Sequence, residues 1–567
     1  MNKSVAIFIT TFVVAIFGVF FLYPVGMTLA VAFKSEDGGF TMDYILGVFS
    51  NPIYVEGLWN SLMMGVFSTL AALAIAFPLA LATHRWVFPG KKLLSVLILA
   101  PLVLPPFVGA VGIKQILGVS GSLNAFLIDL GLMNPNFPMD WLGEGRFWGV
   151  VIMNALHLYP ILYMNIAATL SHLDPAMEQA AQNLGCPPWR RLRKITLPLC
   201  MPGIFAGSAI VFIWSFTELG VPLVFDYTRV ASVQVYDGIK DLNSNPMPYA
   251  LVGIMLLISA TVFAVSKVVL GRTGLGTAPR PKTHSGETVL KGGKGWAMSA
   301  AFVAIFFIAC VPHLGVLLLS VSGDWYATIL PEHMTMAHYS EGLSHPLVVP
   351  SIKNSLIYAT GSTLIDVILG TAIAWVVVRS TIKGRVLLDA VMMLPLAVPG
   401  LVLAFGYIAV TQEGQPLAWL VGDAASPNPL YLLIAAYAVR RLPYVVRAAV
   451  AGLQQSNIAL EEAARSLGAT PIRTLKRVAI PLIGANLVAG GILAFAFAML
   501  EVSDSLILAQ QAEHFPVTKA IYSLLSTLGN GHELASALGV WAMVFLGISI
   551  MGAFVILGRK GGSVFRM

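Results

Sequence analysis

Twelve apolar stretches, each near the roughly 20 residues a helix needs to cross a bilayer, divide this chain into two sets of six. They cover roughly 5–33, 58–82, 93–117, 147–170, 199–222 and 248–270, then 297–321, 351–378, 386–411, 428–452, 482–509 and 535–557. Lipid offers backbone N–H and C=O groups no partner, so runs of this length span only as helices. Of 567 residues, 57% are apolar and 11% are Asp, Glu, Lys or Arg, where a soluble domain carries about 25% charged residues. The expectation is an all-α polytopic membrane protein. The first run follows Met1-Asn-Lys3 and exceeds the roughly 7–15 residues of a signal-peptide core, so it reads as a retained first helix.

The two sets are copies. Asn60-Ser-Leu62 and Ser68-Thr-Leu70 return 294 positions later as Asn354-Ser-Leu356 and Ser362-Thr-Leu364. Gly90-Lys91 returns as Gly384-Arg385, and the Pro101/Pro105 pair as Pro395/Pro399, at the same offset. By His157-Leu-Tyr-Pro160 and Arg440-Arg-Leu-Pro443 the offset is 283, so an outer loop is 11 residues shorter in the second half. Surface loops absorb such differences at little cost. Six helices is an even number, so both halves enter the membrane in the same direction. That predicts a parallel repeat about a pseudo-twofold axis along the membrane normal, with a translocation path near it. The expected divisions are a first repeat at 1–271, a Gly-, Pro-, Thr- and Lys-rich linker at 272–295, and a second repeat at 296–567.

Charge sets the orientation. Arg85, Lys91 and Lys92, then Arg190, Arg191, Arg193 and Lys194, then Arg473, Lys476 and Arg477 all fall in loops on one side. Arg272, Arg280, Lys282, Lys291 and Lys294 of the linker and Arg559, Lys560 and Arg566 near the C-terminus share it, which the positive-inside rule makes cytoplasmic. The opposite loop 34–56 holds Glu36, Asp37, Asp43 and Glu56 against Lys34 alone. Both termini are therefore expected on the cytoplasmic side of the membrane. The net charge of +7 is a topology signature and gives no support to nucleic-acid binding. Cys186, Cys200 and Cys310 have neither disulfide nor metal spacing, and no metal site is expected.

One charged segment is repeated almost without change. Residues 178–185 read Glu-Gln-Ala-Ala-Gln-Asn-Leu-Gly and residues 461–468 read Glu-Glu-Ala-Ala-Arg-Ser-Leu-Gly. Each is followed by a basic stretch and then Pro198 or Pro481, 13 residues beyond Gly185 or Gly468. Asp174-Pro175 and Asn457 suit a helix start, and the glycines suit a left-handed helix end. The prediction is a short cytoplasmic helix in each half. Small Ala180, Ala181, Ala463 and Ala464 permit close approach of another protein, while Glu178, Gln182, Asn183, Glu461, Glu462 and Arg465 interrupt any apolar face for lipid.

This pattern, Glu-Ala-Ala, three residues, Gly, nine residues, Ile-x-Leu-Pro, resembles the cytoplasmic loop of ABC importer permeases. The resemblance rests on Ala180, Ala181, Gly185, Ile195, Leu197 and Pro198, and on Glu462, Ala463, Ala464, Gly468 and Pro481. The chain departs from the pattern at Gln179, beside Glu178, and at Val478 and Ile480. The resemblance implies a type I importer permease fold. It also implies that each short helix, with Glu178, Gln179, Glu461 and Glu462, fits a cleft on a homodimeric cytoplasmic ABC ATPase. A periplasmic solute-binding protein would deliver the cargo. The chain has no Gly-x-x-x-x-Gly-Lys-Ser/Thr loop, so ATP would be used by the partner, and this subunit would be a conduit with no cofactor of its own and not an enzyme. The fused twelve-helix form is similar to permeases for ferric iron, thiamine and 2-aminoethylphosphonate. Ferric iron leads among these, with 2-aminoethylphosphonate or another small organophosphate as the alternative.

Ionisable residues inside spans are costly and candidate functional groups. Arg440 and Arg441 lie near the middle of the tenth run, with His157 at the first of these positions in the other half. Glu218 and Glu501 are repeat equivalents, and Asp504 lies one turn beyond. Two readings stay open: structural ion pairs, or groups that line or gate the pathway. Neighbouring arginines leave a helix about 100° apart, which argues against both facing one narrow pore. An ion-coupled secondary transporter is the competing class, although it has no need of the paired cytoplasmic loops.

Overall fold

The structure, a computed structural model, describes residues 3–35, 38–102, 104–143, 146–171, 173, 175–241, 245–272, 288–422 and 427–560. Most of the expected linker, including Arg280 and Lys282, lies outside these residues, as do Glu36, Asp37, Asp174 and Arg566. Among the described residues, nine helices are long and apolar enough to span a membrane, or up to eleven if two sharply bent pairs each count as one. Leu430–Gln455, the tenth expected span, is the one outside that count. It is continuous for 26 residues, but Arg440, Arg441 and Arg447 weigh against it on composition.

Proline accounts for the departures from straight spans. The stretch expected at 386–411 is two helices, Arg385–Leu396 and Gly400–Thr411, bent by 95°. Pro395 and Pro399 remove backbone donors there and disfavour helical geometry at the preceding residues. The first half shows the same interruption, with Lys91–Leu97 and Pro106–Leu117 separated by a short turn at Ala100–Leu102. The stretch expected at 482–509 bends by 76° between Pro471–Leu482 and Gly484–Met499. The only named strands among the described residues, Trp86–Val87 and Thr288–Val289, form one parallel pair.

The described chain forms two compact units that differ from the sequence halves. One comprises Met1–Asn51, Val235–Leu256 and Met336–Met567, and the other comprises Pro52–Gln234 and Leu257–Thr335. Each unit therefore takes in the first helix of the opposite half. In one, Lys3–Ala32 crosses Gly400–Thr411, with Thr28 donating to the Val402 carbonyl at 3.0 Å and Tyr407 donating to the Phe20 carbonyl at 2.7 Å. In the other, Gly293–Leu319 crosses Pro106–Leu117. Both crossings need glycine: a Cβ on Gly406 would overlap the Pro24 carbonyl, and one on the equivalent Gly112 would overlap the Pro312 carbonyl. Small residues let membrane helices approach this closely.

Gly406→Val is therefore expected to cost at least roughly 1–3 kcal/mol, because the obstacle is backbone that cannot turn aside. Gly547→Val, where a Cβ meets nothing within 4 Å, is the control. Thermal unfolding of the detergent-solubilised variants checks this, and equal midpoints would refute the crossing.

Candidate coupling and pathway sites

The two repeated segments fold as expected into matching short helices, Pro175–Asn183 and Ile458–Ser466. Asn457 caps the second, its side chain accepting from the Ala459 N–H at 3.0 Å. Both helices end on a left-handed glycine, Gly185 at φ +73° and Gly468 at φ +82°. The Cys186 N–H donates to Ala181 O and the Gly185 N–H to Gln182 O, each at 2.9 Å. Ala469 and Gly468 donate likewise to Ala464 O and Arg465 O, at 3.0 and 2.9 Å. This double bond pattern satisfies carbonyls that a helix end would otherwise orphan. A further shared feature escapes sequence reading. Leu192–Thr196 and Leu475–Ala479 are single wide π-turns, located just before Pro198 and Pro481. A proline ring crowds the carbonyl four residues earlier, and widening the turn accommodates it.

Each short helix is latched to the end of a long span. Arg85, closing Pro52–Arg85, pairs with Glu178 at 2.7 Å; Arg379, closing Val348–Arg379, pairs with Glu461 at 2.7 Å. Arg85 and Arg379 are repeat equivalents, and so are Glu178 and Glu461. Arg379 also donates to the Leu453 carbonyl at 2.8 Å and the Ser456 hydroxyl at 2.7 Å. Burial would raise the Glu178 carboxyl, but hydrogen bonds from Thr196 and Arg85 and the charge of Arg85 hold it below the usual carboxylate range. Glu178 thus does the work of Glu461. The Gln179-for-Glu462 difference falls at an exposed position in each copy.

What the helices present outward is apolar. Leu184 is 88% exposed and its equivalent Leu467 is 89% exposed. Met177 and Trp189 flank the first, and Leu460 and Ile472 flank the second, all exposed. Charge and alanine patterns do not single out these leucines, although a Leu directly before the terminating Gly is visible in both copies.

Arg379→Met is expected to free the Ile458–Ser466 helix by leaving Glu461, which is fully buried, with only Arg465 at 3.5 Å. Faster proteolysis at the following basic stretch would register the loss, whereas wild-type kinetics would show that the latch holds nothing.

The intramembrane candidates separate into different roles. Arg440 pairs with Glu501 at 2.6 Å and with Asp504 at 3.2 Å, while Arg441 pairs with the other Glu501 oxygen and covers the Phe497 ring at 5.7 Å. The two arginines converge on Glu501 because their long side chains swing onto one carboxylate. Asp504 is fully buried and Glu501 nearly so. Glu218 does a different job: its carboxylate caps the short helix Gly220–Val224 by accepting from the Gly220 and Val221 N–H groups at 3.0 and 3.2 Å. His157 donates or accepts at the Pro101 carbonyl, 2.8 Å away, and lines a small cavity with His313, Pro106 and Met153. Asp366 is a residue the sequence does not single out; it is fully buried, and among the described residues neither carboxylate oxygen has a hydrogen-bond partner.

Comparison with known proteins bears on this duplicated arrangement. Residues 44–273 and 366–560 each match the family described as the binding-protein-dependent transport system inner membrane component. The chain belongs to that family. It is a fused permease component of an ABC importer and a multi-pass inner-membrane protein. It is 29% identical over 468 residues to a putative ferric transport system permease protein of Haemophilus influenzae, covering 82% of this chain and 70% of the relative. A ferric transport system permease protein of Actinobacillus pleuropneumoniae is also 29% identical, over 81% of this chain and 64% of its own length. The permease thus spans about two thirds of the length of these ferric relatives. A spermidine/putrescine transport system permease protein of Haemophilus influenzae is 29% identical over 43% of this chain and 87% of its own.

Proposed function

We propose that this permease imports ferric iron, delivered by a periplasmic binding protein, and is driven by a homodimeric cytoplasmic ATPase that grips both short helices. The observation that carries the coupling half is the matched pair of latched helices, each presenting one almost wholly exposed leucine. In this reading Glu178 and Glu461 fix the helices to the spans, and Ala180, Ala181, Ala463 and Ala464 allow close approach. Gly185 and Gly468 end the helices, and Pro198 and Pro481 redirect the chain into the membrane. Gln179 and Glu462 face the ATPase. The basic loops and the even number of spans per half support cytoplasmic termini. The ferric relatives, which match both halves together, support the cargo.

The paired cytoplasmic helices favour ATP coupling over an ion gradient. Proteoliposomes holding the permease with its ATPase and binding protein test this directly. Uptake of ⁵⁵Fe that needs ATP and survives ionophores that collapse ion gradients is the expected result. ATP-independent uptake abolished by such ionophores would establish a secondary transporter instead.

A further inference from the structure

Three matched hydrogen bonds fix how the segments after the fifth spans correspond. Asn60 donates to the Arg229 carbonyl at 2.9 Å, as Asn354 donates to the Phe515 carbonyl at 3.2 Å. The Ser61 hydroxyl accepts from the Ala231 N–H at 2.9 Å, as Ser355 accepts from the Val517 N–H at 2.8 Å. Ser232 donates to the Glu218 carbonyl at 2.5 Å, as Thr518 donates to the Glu501 carbonyl at 2.6 Å. Each pair sets the offset at 286, three more than the sequence repeat shows further back. Val235-Tyr236 therefore corresponds to Ile521-Tyr522.

These two tyrosines, both in the unit that contains Met336–Met567, touch each other. Their ring centroids are 6.1 Å apart and the rings meet edge-to-face at 88°. Equivalent positions of the two sequence repeats thus meet inside this one unit, and in a parallel-repeat transporter the path runs near where the repeats meet.

Lys519 stands at this point. Its ammonium donates to the Leu506 carbonyl at 2.9 Å and to the Tyr236 hydroxyl at 3.3 Å, and it lies 5.5 Å from the ring centroids of Tyr236 and Phe515. The residue is only 8% exposed, and among the described residues no carboxylate pairs with it. Arg379 and Arg441, also deeply buried, each have a glutamate. Val233 occupies its place in the first half, so the charge is single and breaks the symmetry. Burying an ammonium against neutral groups is costly, and two aromatic faces return only part of that cost. A hydrophobic residue would fill the space more stably, as Val233 does.

We propose that Lys519 is an anion station on the translocation axis, whose ammonium takes an oxyanion group of the passing solute. That group is a phosphonate, phosphate or carboxylate, either free or in the shell of a ferric chelate. This rests on the importer reading and refines its cargo, because a bare ferric cation would be repelled. Tyr236 and Tyr522 close the axis beside the station and Phe515 backs it.

The test opens the closure and reads the charge behind it. Purified full-length Tyr236→Gly/Tyr522→Gly permease in planar bilayers is expected to leak, with chloride favoured over potassium by about fivefold. Adding Lys519→Met should abolish that preference, Lys519→Glu should reverse it, and Lys519→Arg should keep it. Should the double variant fail to insert, Tyr522→Gly alone gives the same readout. A tight bilayer after tyrosine truncation, or a selectivity indifferent to residue 519, would overturn the proposal. Methylphosphonate and ferric citrate are then added as blockers. Block by methylphosphonate alone assigns a free oxyanion, and block by ferric citrate alone assigns chelated iron; block by neither overturns the oxyanion assignment. The leak needs neither ATP nor partners, so failure here is separate from failure of the ATP-driven uptake assay.

Discussion

Leu184→Asp/Leu467→Asp permease is expected to insert and fold normally yet lose ATP-driven uptake by 100-fold or more. Each leucine is almost wholly exposed at the end of a short helix that is itself held by buried or half-buried Arg–Glu contacts. Replacing it therefore disturbs no internal packing. At a protein interface, a central apolar anchor is worth about 2 kcal/mol or more, and an aspartate adds an unpaired charge to the buried cleft. Two such losses correspond to roughly a thousandfold in affinity. Co-purification of the ATPase and uptake by the same reconstituted sample check this. Retained ATPase binding would show that the partner grips some other surface. The single variants carry further information, because Gln179 and Glu462 flank the two sites with different charge. The Leu184 variant should weaken binding more, since its helix has one fewer acidic group to contribute.

Glu501→Leu is expected to be the most damaging single substitution inside the membrane. It strips one carboxylate from two arginines at once, leaving Arg441 without its ion pair and Arg440 with Asp504 alone at 3.2 Å. Breaking a buried pair by removing one member costs roughly 3–5 kcal/mol. Replacing Arg440, Arg441, Glu501 and Asp504 together with Met and Leu should recover most of that loss, since buried ion clusters are often no more stable than well-packed apolar ones. Thermal unfolding of both variants provides the measurement. Transport then separates the two readings of the cluster. A stable quadruple variant that still imports would make these residues structural, and a stable one that does not would put them on the pathway.

The features legible in the sequence were those with local causes. Apolar length marked the spans, and glycine marked the ends of the coupling helices, whose left-handed φ only a missing Cβ makes easy. Repetition at a fixed offset revealed the duplication. What stayed hidden depends on distant contacts. Nothing near Gly406 or Pro24 says that the first helix of one half packs with the third of the other. Arg85 reads as a topology signal and Arg379 goes unmarked, because their glutamates are 93 and 82 residues away. The convergence of Arg440 and Arg441 depends on a glutamate 61 and 60 residues away. Lys519 was missed because the repeat offset shifts by three residues just before it, and because a missing counter-charge leaves no mark in a sequence.

Native mass spectrometry of the purified complex, trapped with a non-hydrolysable ATP analogue, tests the central claim most directly. Two equivalent coupling helices on one 60.6 kDa chain predict one permease with two identical ATPase subunits. A complex with a single ATPase subunit, or one whose stoichiometry is unchanged by the Leu184→Asp/Leu467→Asp substitutions, would contradict the account.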